Sequence, residues 1–203
     1  MTSRIEQKLE FSKEYYIDLL RWLKSKGTKV IYPKRIICSR YFDTVNLDMY
    51  SDVLEGIIPR KKIRIRTYNS REFKKGNFPY KLEVKITKEH ERFKSCRNIY
   101  NYEKIIKQGY YDKHYGTCFA KVDISYKREY FLIDEIRITI DSEINYKSIS
   151  NKVSKHKKEK IDNSFVLEIK ADISKSLTFL SNKFDFPRTR FSKYQKAIES
   201  IFN

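Results

Sequence analysis

Alternation of polar and apolar residues is the dominant pattern along this chain, and it predicts a protein built mainly of β-strands. Residues 60–68, RKKIRIRTY, place cations on one strand face and isoleucines on the other. Residues 79–87, PYKLEVKIT, alternate in the same way. This period of two predicts strands over residues 4–11, 35–43, 60–68, 79–87, 94–100, 122–132, 133–141 and 165–171. The predicted fold class is therefore α+β, with eight mostly antiparallel strands and helices around them.

Apolar residues at helical spacing lie between and after these strands. Ser12 is a good N-cap for a helix that runs to about Lys26, and Gly27 is suited to follow its end. Further helices are predicted for a short segment after Thr44 and for residues 101–119, 173–183 and 190–202. The Lys-rich residues 147–163 are predicted to form a mobile loop. Because no repeat or domain boundary is evident, residues 1–203 are expected to form a single domain.

The charged faces of the strands are compatible with two architectures. An antiparallel sheet could leave its polar face in water and pack its apolar face on helices. Alternatively, the eight strands could close into a barrel whose polar face points inward. The inward cations would be Lys8, Lys62, Arg64, Arg66, Lys81, Lys85, Arg128, Arg137 and Lys170, accompanied by Glu6, Glu10, Glu83, Asp141 and Glu168. Two like charges 5 Å apart repel by roughly 3 kcal/mol at an effective dielectric constant near 20, so such a lumen would suit water and a polyanion.

Composition narrows the class of partner. The 203 residues include 44 Lys and Arg against 26 Asp and Glu, which gives a net charge of +18 at pH 7. This excess favours a polyanionic partner. However, the chain is rich in Lys, Ile, Asn and Tyr, and a genome whose composition favours these residues raises the number of lysines without any ligand. Since no run of 18 apolar residues occurs, no membrane span is expected. Because no signal-like apolar region opens the chain, a cytoplasmic location is expected.

Several catalytic classes lack the residues that they require. The three cysteines are far apart and form no C-x-x-C pair, which argues against a zinc site or a disulfide framework. The three histidines are isolated in polar stretches, which argues against zinc hydrolases and His-based triads. No glycine-rich phosphate loop occurs. Any chemistry on phosphates must therefore depend on the charged strand faces.

A series of short motifs follows the predicted strands in a specific order. They are E-x-K at Glu6, S-x-Y-F-D-T at Ser39, R-x-K-x-R-x-R-x-Y at Arg60, L-E-x-K at Leu82, Y-x-R at Tyr126, R-x-T-x-D at Arg137, a second L-E-x-K at Leu167 and F-S-K-Y at Phe191. Together they resemble the VTC domain, the catalytic domain of the vacuolar transporter chaperone polyphosphate polymerase and its bacterial relatives. This domain belongs to the triphosphate tunnel metalloenzyme superfamily, and the resemblance covers nearly the whole chain.

The resemblance implies a fold and a set of site residues. The fold would be an eight-stranded antiparallel tunnel with a basic lumen, flanked by amphipathic helices. Catalytic roles in phosphoryl transfer are implied for Arg64, Arg66, Arg128 and Lys193. Phosphate binding is implied for Lys8, Lys62, Lys85, Lys94, Tyr126, Arg137 and Lys170. Glu168 would hold Mn²⁺ or Mg²⁺, since Mg²⁺ commonly takes only one or two protein carboxylates beside phosphates and water.

For some charged residues a structural role is the competing expectation. Glu10 and Glu83 are expected to be counter-ions that hold lysines in place. Asp43 is expected to brace the turn at Thr44. Arg137 and Asp141 are equally compatible with a structural ion pair.

Three functions are consistent with these features. An ATP-dependent polyphosphate polymerase is favoured, with ATP or triphosphate and polyphosphate as ligands. An inorganic or nucleoside triphosphatase that uses the same tunnel is the alternative. A non-catalytic polyanion-binding module is the third, but specific nucleic-acid binding is disfavoured because basic side chains inside strands do not reach into a duplex groove. Export of the product would require a membrane or pore partner protein.

Overall fold

The computed structural model describes residues 4–74, 79–89, 91–100, 102–149, 158–172 and 191–202. The strands of these residues are β1 (Arg4–Phe11), β2 (Lys29–Asp43), β3 (Arg60–Tyr68), β4 (Tyr80–Thr87), β5 (Arg92–Ile99), β6 (Tyr110–Asp112), β7 (Gly116–Ile133), β8 (Ile136–Ser148), β9 (Glu159–Asp162) and β10 (Phe165–Asp172). The helices are α1 (Lys13–Ser25), α2 (Asp48–Glu55), α3 (Tyr102–Gln108) and α4 (Lys193–Phe202). Within the described ranges, no helix combines the length and the apolar character needed to cross a membrane. All eight predicted strands are present, and the short β6 and β9 are additional.

The strands follow one another across a single sheet in the order β1-β10-β8-β7-β2-β3-β4-β5, while β6 pairs with β7 and β9 pairs with β8. The pairings of β1 with β10, β10 with β8, β2 with β3, β3 with β4 and β4 with β5 are antiparallel. The predicted antiparallel fold class is therefore confirmed. β1 and β5 stand at the two ends of the order, and no ladder joins them in the part of the chain that the structure describes.

The chain packs as two compact units, which are described separately below. The first unit comprises Met1–Ile36, Tyr126–Ile144 and Ile161–Phe191, and the second comprises Ile37–Ser125, Asn145–Lys160 and Ser192–Asn203. The long strands β2, β7 and β8 contribute residues to both. The expectation of one domain over residues 1–203 stays a prediction.

The first unit is built around the apolar side of α1. Ser12 precedes the helix in an extended conformation, and Gly27 follows its end at φ +68°, in the left-handed region that glycine adopts without strain. The buried Leu19, Trp22 and Leu23 pack with the apolar side chains of β1, β8 and β10. This packing confirms the helix that the spacing predicts, and it leaves the charged residues of these strands on the opposite face.

The second unit confirms the alternation in β3 most directly. Ile63 and Ile65 are fully buried and belong to a core that also contains Phe42, Met49 and Leu82. Because successive side chains of a strand point to opposite faces, Lys62, Arg64 and Arg66 face away from this core, whereas Lys61 lies on the isoleucine side and pairs with Asp112 at 2.8 Å.

One helix prediction is wrong in extent, and another falls on residues that are not described. The predicted helix 101–119 ends at Gln108, because Gly109 adopts φ +82° and the chain then turns back as the β6–β7 hairpin. The predicted loop 147–163 contains β9 and the end of β8, while residues 150–157 lie outside the described residues. The predicted helix 173–183 also lies outside them, and the helix predicted for 190–202 is present as α4.

Candidate functional site

One strand face of the second unit brings three lysines into a row. Lys62 on β3 lies directly opposite Lys85 on β4, and Lys85 lies directly opposite Lys94 on β5. Directly opposed residues of antiparallel strands have Cβ atoms about 4.5–5.5 Å apart, and like charges at that spacing destabilise a sheet. A bound anion would relieve this repulsion, so the row has the character of an anion site.

Glu83 is the counter-ion of this face. Its side chain is 1 % exposed, and its two oxygens accept from Arg64 Nε at 2.7 Å and from Lys94 Nζ at 2.5 Å, while Arg66 Nη1 lies 3.7 Å away. Burial acts to raise the pKa of Glu83, but Arg64 and Arg66 outweigh it and lower the pKa to about 2. One negative charge is therefore shared by three cations, which supports its expected role as a counter-ion.

Two neutral side chains orient the arginines of the same face. Arg64 Nη1 donates to the Tyr41 hydroxyl at 2.7 Å, and Arg66 Nε donates to Ser39 Oγ at 3.0 Å. Burial acts to raise the pKa of Tyr41, but Arg64 and Arg66 lower it below its ordinary value. Ser39 and Tyr41 hold the guanidinium groups in place without neutralising them. Sequence reasoning assigned neither residue a role, although both belong to the S-x-Y-F-D-T motif.

The start of α4 contacts this charged face. Lys62 Nζ donates to Ser192 Oγ at 2.8 Å, and the Tyr194 ring stacks on Tyr41 with ring centroids 5.1 Å apart. The catalytic role expected for Lys193 stays a prediction. In the chain it lies between Ser192 and Tyr194, which make these two contacts.

Asp43 braces the turn that begins α2, as expected. Its carboxylate accepts from the backbone N–H groups of Thr44 at 2.8 Å, Met49 at 2.9 Å and Tyr50 at 3.0 Å. It also accepts from the Tyr194 hydroxyl. The link to α4 is a second function that the sequence did not reveal.

The first unit carries a second charged face, in which opposite charges alternate between strands. Glu6 lies opposite Lys170, and Lys8 lies opposite Glu168. Lys8 pairs with Glu6 at 3.0 Å, and Lys170 pairs with Glu168 at 2.6 Å and with Glu6 at 3.7 Å. Burial acts to raise the pKa of both carboxyls, but the neighbouring cations outweigh it, so both pKa values are lowered.

Arg128 joins this face through Asp141. The guanidinium donates from Nε and Nη2 to the two oxygens of Asp141 at 2.5 and 2.7 Å, and Nη2 lies 3.4 Å from Glu168 Oε2. The suggested Arg137–Asp141 pair is therefore wrong, because residues four apart on a strand are separated by about 13 Å. Arg137 is exposed and lies opposite Lys170. The Arg128 guanidinium also lies over the Tyr126 ring, 5.3 Å from its centroid.

The carboxylates of this face fit a hard divalent cation that binds together with phosphate. Glu6 and Glu168 lie on neighbouring strands and interact electrostatically, and their lowered pKa values keep them ionised. The buried hydroxyl of Thr139 lies opposite Glu168 and lacks a partner among the described residues. Within the same described ranges, no group of three or more His, Cys, Asp and Glu side chains could hold a metal alone. Mg²⁺ requires only one or two protein carboxylates when phosphates and water complete its coordination.

The predicted site residues divide between these two faces. Lys62, Arg64, Arg66, Lys85, Lys94 and Lys193 belong to the second unit, and Lys8, Tyr126, Arg128, Arg137, Glu168 and Lys170 belong to the first. Their predicted roles toward phosphate and metal remain proposals.

Comparison with known proteins defines the class and then the family. The chain shares its fold with two proteins of known structure. The first is a protein from Hippeastrum that is assigned as an adenylyl cyclase and reported to have a dominant triphosphatase activity. It is 12 % identical in sequence, the TM-score is 0.57, and the match covers 99 % of this chain and 97 % of that chain. A protein from Vibrio parahaemolyticus, likewise assigned as an adenylate cyclase, is 13 % identical with a TM-score of 0.56, covering 98 % of both chains. The VTC domain family model matches residues 3–202, so the chain belongs to the VTC domain family. A search of curated proteins found no significant match.

Proposed function

We propose that this protein transfers phosphoryl groups from ATP to a growing polyphosphate chain, with Mn²⁺ or Mg²⁺ as cofactor. The observation that carries the proposal is the cationic face of the second unit. There, three opposed lysines share a face with two oriented arginines, and the buried carboxylate of Glu83 pairs with Arg64, Arg66 and Lys94. Membership of the VTC domain family favours the polymerase over other reactions of a triphosphate.

The chemistry of the two faces suits a linear polyphosphate. Such a chain carries regularly spaced negative charges, and charge-assisted hydrogen bonds from Arg and Lys are the strong contacts to phosphate oxygens. Arg64 and Arg66 are held by side chains that do not neutralise them fully. Because they share the one carboxylate of Glu83, the positive charge of this pair exceeds the negative charge that Glu83 supplies, which favours an anionic ligand.

Phosphoryl transfer requires mainly in-line positioning and neutralisation of charge, and a protein nucleophile is not needed. Arg64, Arg66 and Lys193 of the second unit, and Arg128 of the first, would each neutralise charge on phosphate oxygens. Glu168, with Glu6 beside it, would hold the divalent ion, which when bound supplies further neutralisation of the phosphate oxygens. We place the reaction in the cytoplasm, where ATP is available, and assign export of any product to a membrane or pore partner.

A triphosphatase is the second candidate, because the structurally similar Hippeastrum protein has that activity. A non-catalytic polyanion-binding module is the third. Incubation of the purified protein with ATP and Mn²⁺, followed by separate assays for orthophosphate and for a polyphosphate ladder, distinguishes all three. A ladder supports the polymerase, orthophosphate alone supports the triphosphatase, and binding of tripolyphosphate without either product supports the binding module.

A matched pair of variants tests whether the cationic face is responsible. Arg66→Ala removes an oriented, buried cation, whereas Lys24→Ala removes an exposed cation of α1. The proposal expects loss of product only in Arg66→Ala. Equal activity of the two variants would contradict it.

A further inference from the structure

Thr139 is a buried polar residue in the charged face of the first unit. It lies on β8 directly opposite Glu168 of β10, and it is 3 % exposed. Its hydroxyl oxygen is fully buried and has no hydrogen-bond partner among the described residues. Most buried hydroxyl groups in native proteins have a partner, so an orphaned one calls for a physical explanation.

The hydroxyl does not help the ligand-free fold. An unmade hydrogen bond on a buried polar group destabilises the folded state, whereas an apolar group of the same shape would avoid this penalty. Valine has nearly the shape of threonine and is at least as well suited to a strand. Packing and strand propensity alone would therefore favour valine at position 139.

The surroundings of Thr139 indicate what kind of ligand would use the hydroxyl. Directly opposed residues have Cβ atoms about 4.5–5.5 Å apart, so the hydroxyl lies within reach of a ligand that contacts Glu168. The Glu168 oxygens are already engaged, one by Lys170 at 2.6 Å and the other by Arg128 at 3.4 Å. These cations attract an anion, and a hydroxyl can donate to an anion's oxygen.

We propose that the Thr139 hydroxyl donates a hydrogen bond to an oxygen of the bound phosphate chain. The inference rests on the proposed function and adds a binding residue to the charged ones. Among the described residues the hydroxyl has no partner in the ligand-free protein, and it gains one when the phosphate chain binds. Thr139 thus lowers the stability of the ligand-free protein and raises its affinity for the ligand.

If the hydroxyl has this role, removing it should not lower the stability of the ligand-free protein but should weaken binding of the phosphate chain. In Thr139→Val, the ligand-free melting temperature should be unchanged or higher than in the wild type. The dissociation constant for tripolyphosphate should rise about three- to tenfold, the range expected for one hydrogen bond to a ligand. Thr139→Ser keeps the hydroxyl and should restore most of the affinity.

Thr44→Val is the matched control. Thr44 is also a buried threonine, but its hydroxyl donates to Asp48 Oδ2 at 2.7 Å and accepts from the Asp48 N–H at 3.1 Å. Loss of this partnered hydroxyl should lower the melting temperature and leave the tripolyphosphate affinity unchanged.

Calorimetric titrations with tripolyphosphate, in EDTA and in Mn²⁺, separate the possible failures. A lower melting temperature of Thr139→Val with unchanged affinity would show a structural hydroxyl and overturn the inference. An affinity loss seen only with Mn²⁺ would assign the hydroxyl to the metal and would also overturn it. Wild-type protein that fails to bind tripolyphosphate would overturn the proposed function and the inference with it. Wild-type binding with no change in Thr139→Val would overturn the inference alone.

Discussion

The hydroxyl of Tyr194, on the last helix, donates a hydrogen bond to the fully buried carboxylate of Asp43 at the end of β2. The same carboxylate accepts from the backbone N–H groups at the start of α2. Burial raises the pKa of both Asp43 and Tyr194, which keeps the phenol neutral and able to donate. One carboxylate therefore fixes α2 and α4 against the same strand, and Lys193 is the residue next to this attachment.

We expect Tyr194→Phe to loosen α4. The variant loses the bond to Asp43 but keeps the ring that stacks on Tyr41. A hydrogen bond to a charged group contributes about 1.5–3 kcal/mol, so the free energy of unfolding should fall by roughly that amount. Hydrogen exchange of residues 193–202 should become faster. Tyr115→Phe, which removes a tyrosine bond to Asp52 in the same unit, is the control and should leave exchange in α4 unchanged. Equal exchange of α4 in the wild type and Tyr194→Phe would contradict the assignment.

We expect the stabilisation that Glu83 provides to depend on pH. Its pKa is about 2 in the folded protein, compared with an ordinary value of 4.5, so its contribution is fully present above pH 4.5 and is lost as the pH falls toward 2. A difference of that size corresponds to about 3 kcal/mol at 1.36 kcal/mol per pKa unit. Urea denaturation should show Glu83→Gln less stable than the wild type at pH 7, with the gap narrowing at pH 3.5.

The control for this prediction is Glu14→Gln, which changes an exposed carboxylate of α1. Surface substitutions usually change stability by less than about 0.5 kcal/mol, so this variant should stay close to the wild type at each pH. A constant gap between Glu83→Gln and the wild type from pH 7 to pH 3.5 would show that its ionisation is not the source of the stability.

We expect tripolyphosphate to stabilise the protein strongly at low ionic strength. A ligand present at about 100 times its dissociation constant adds roughly 2.7 kcal/mol to the free energy of unfolding. Thermal melts should therefore shift upward with tripolyphosphate, and the shift should shrink with added salt because exposed charges are screened. Orthophosphate, with fewer charges to pair, should give a smaller shift. A shift with orthophosphate alone would count against a site for linear phosphate chains.

We expect Glu168→Gln to separate metal binding from anion binding. The variant should lose metal-dependent turnover, while its affinity for tripolyphosphate without metal should be unchanged or higher, because a negative charge is gone. Arg66→Ala should instead weaken both binding and turnover. Glu10→Gln, on β1, is the control for removal of a carboxylate and should keep the metal response. An active Glu168→Gln variant with an unchanged response to Mn²⁺ would contradict the assignment of Glu168 as the metal ligand, and Glu6 would become the next candidate.

Much of the fold could be predicted from the sequence because the side-chain period of a strand is a local property. The apolar sides of β3 and β4 follow from alternation alone, and they are confirmed by the burial of Ile63 and Ile65 on β3 and of Leu82 on β4. The prediction of a helix over 101–119 is wrong after Gln108, and the reason is equally local. Its first residues are helical, but Gly109 adopts a left-handed conformation, and Asp112 accepts from the N–H groups of His114 and Tyr115 to form the turn into β7.

The partners of the charged side chains could not be predicted, because they depend on which strands are neighbours. Alternation indicated that Glu83, Glu168 and Asp141 share faces with cations, but not which cations they meet. In the folded protein Glu83 forms ion pairs with Arg64 and Lys94, and Asp141 forms an ion pair with Arg128. The fold also leaves the Thr139 hydroxyl opposite Glu168 without a partner among the described residues. The strand faces and their charge could thus be assigned from the amino-acid sequence, because they depend on neighbours along the chain. The contacts between these side chains required the fold, because register and strand order bring together residues that are distant in sequence.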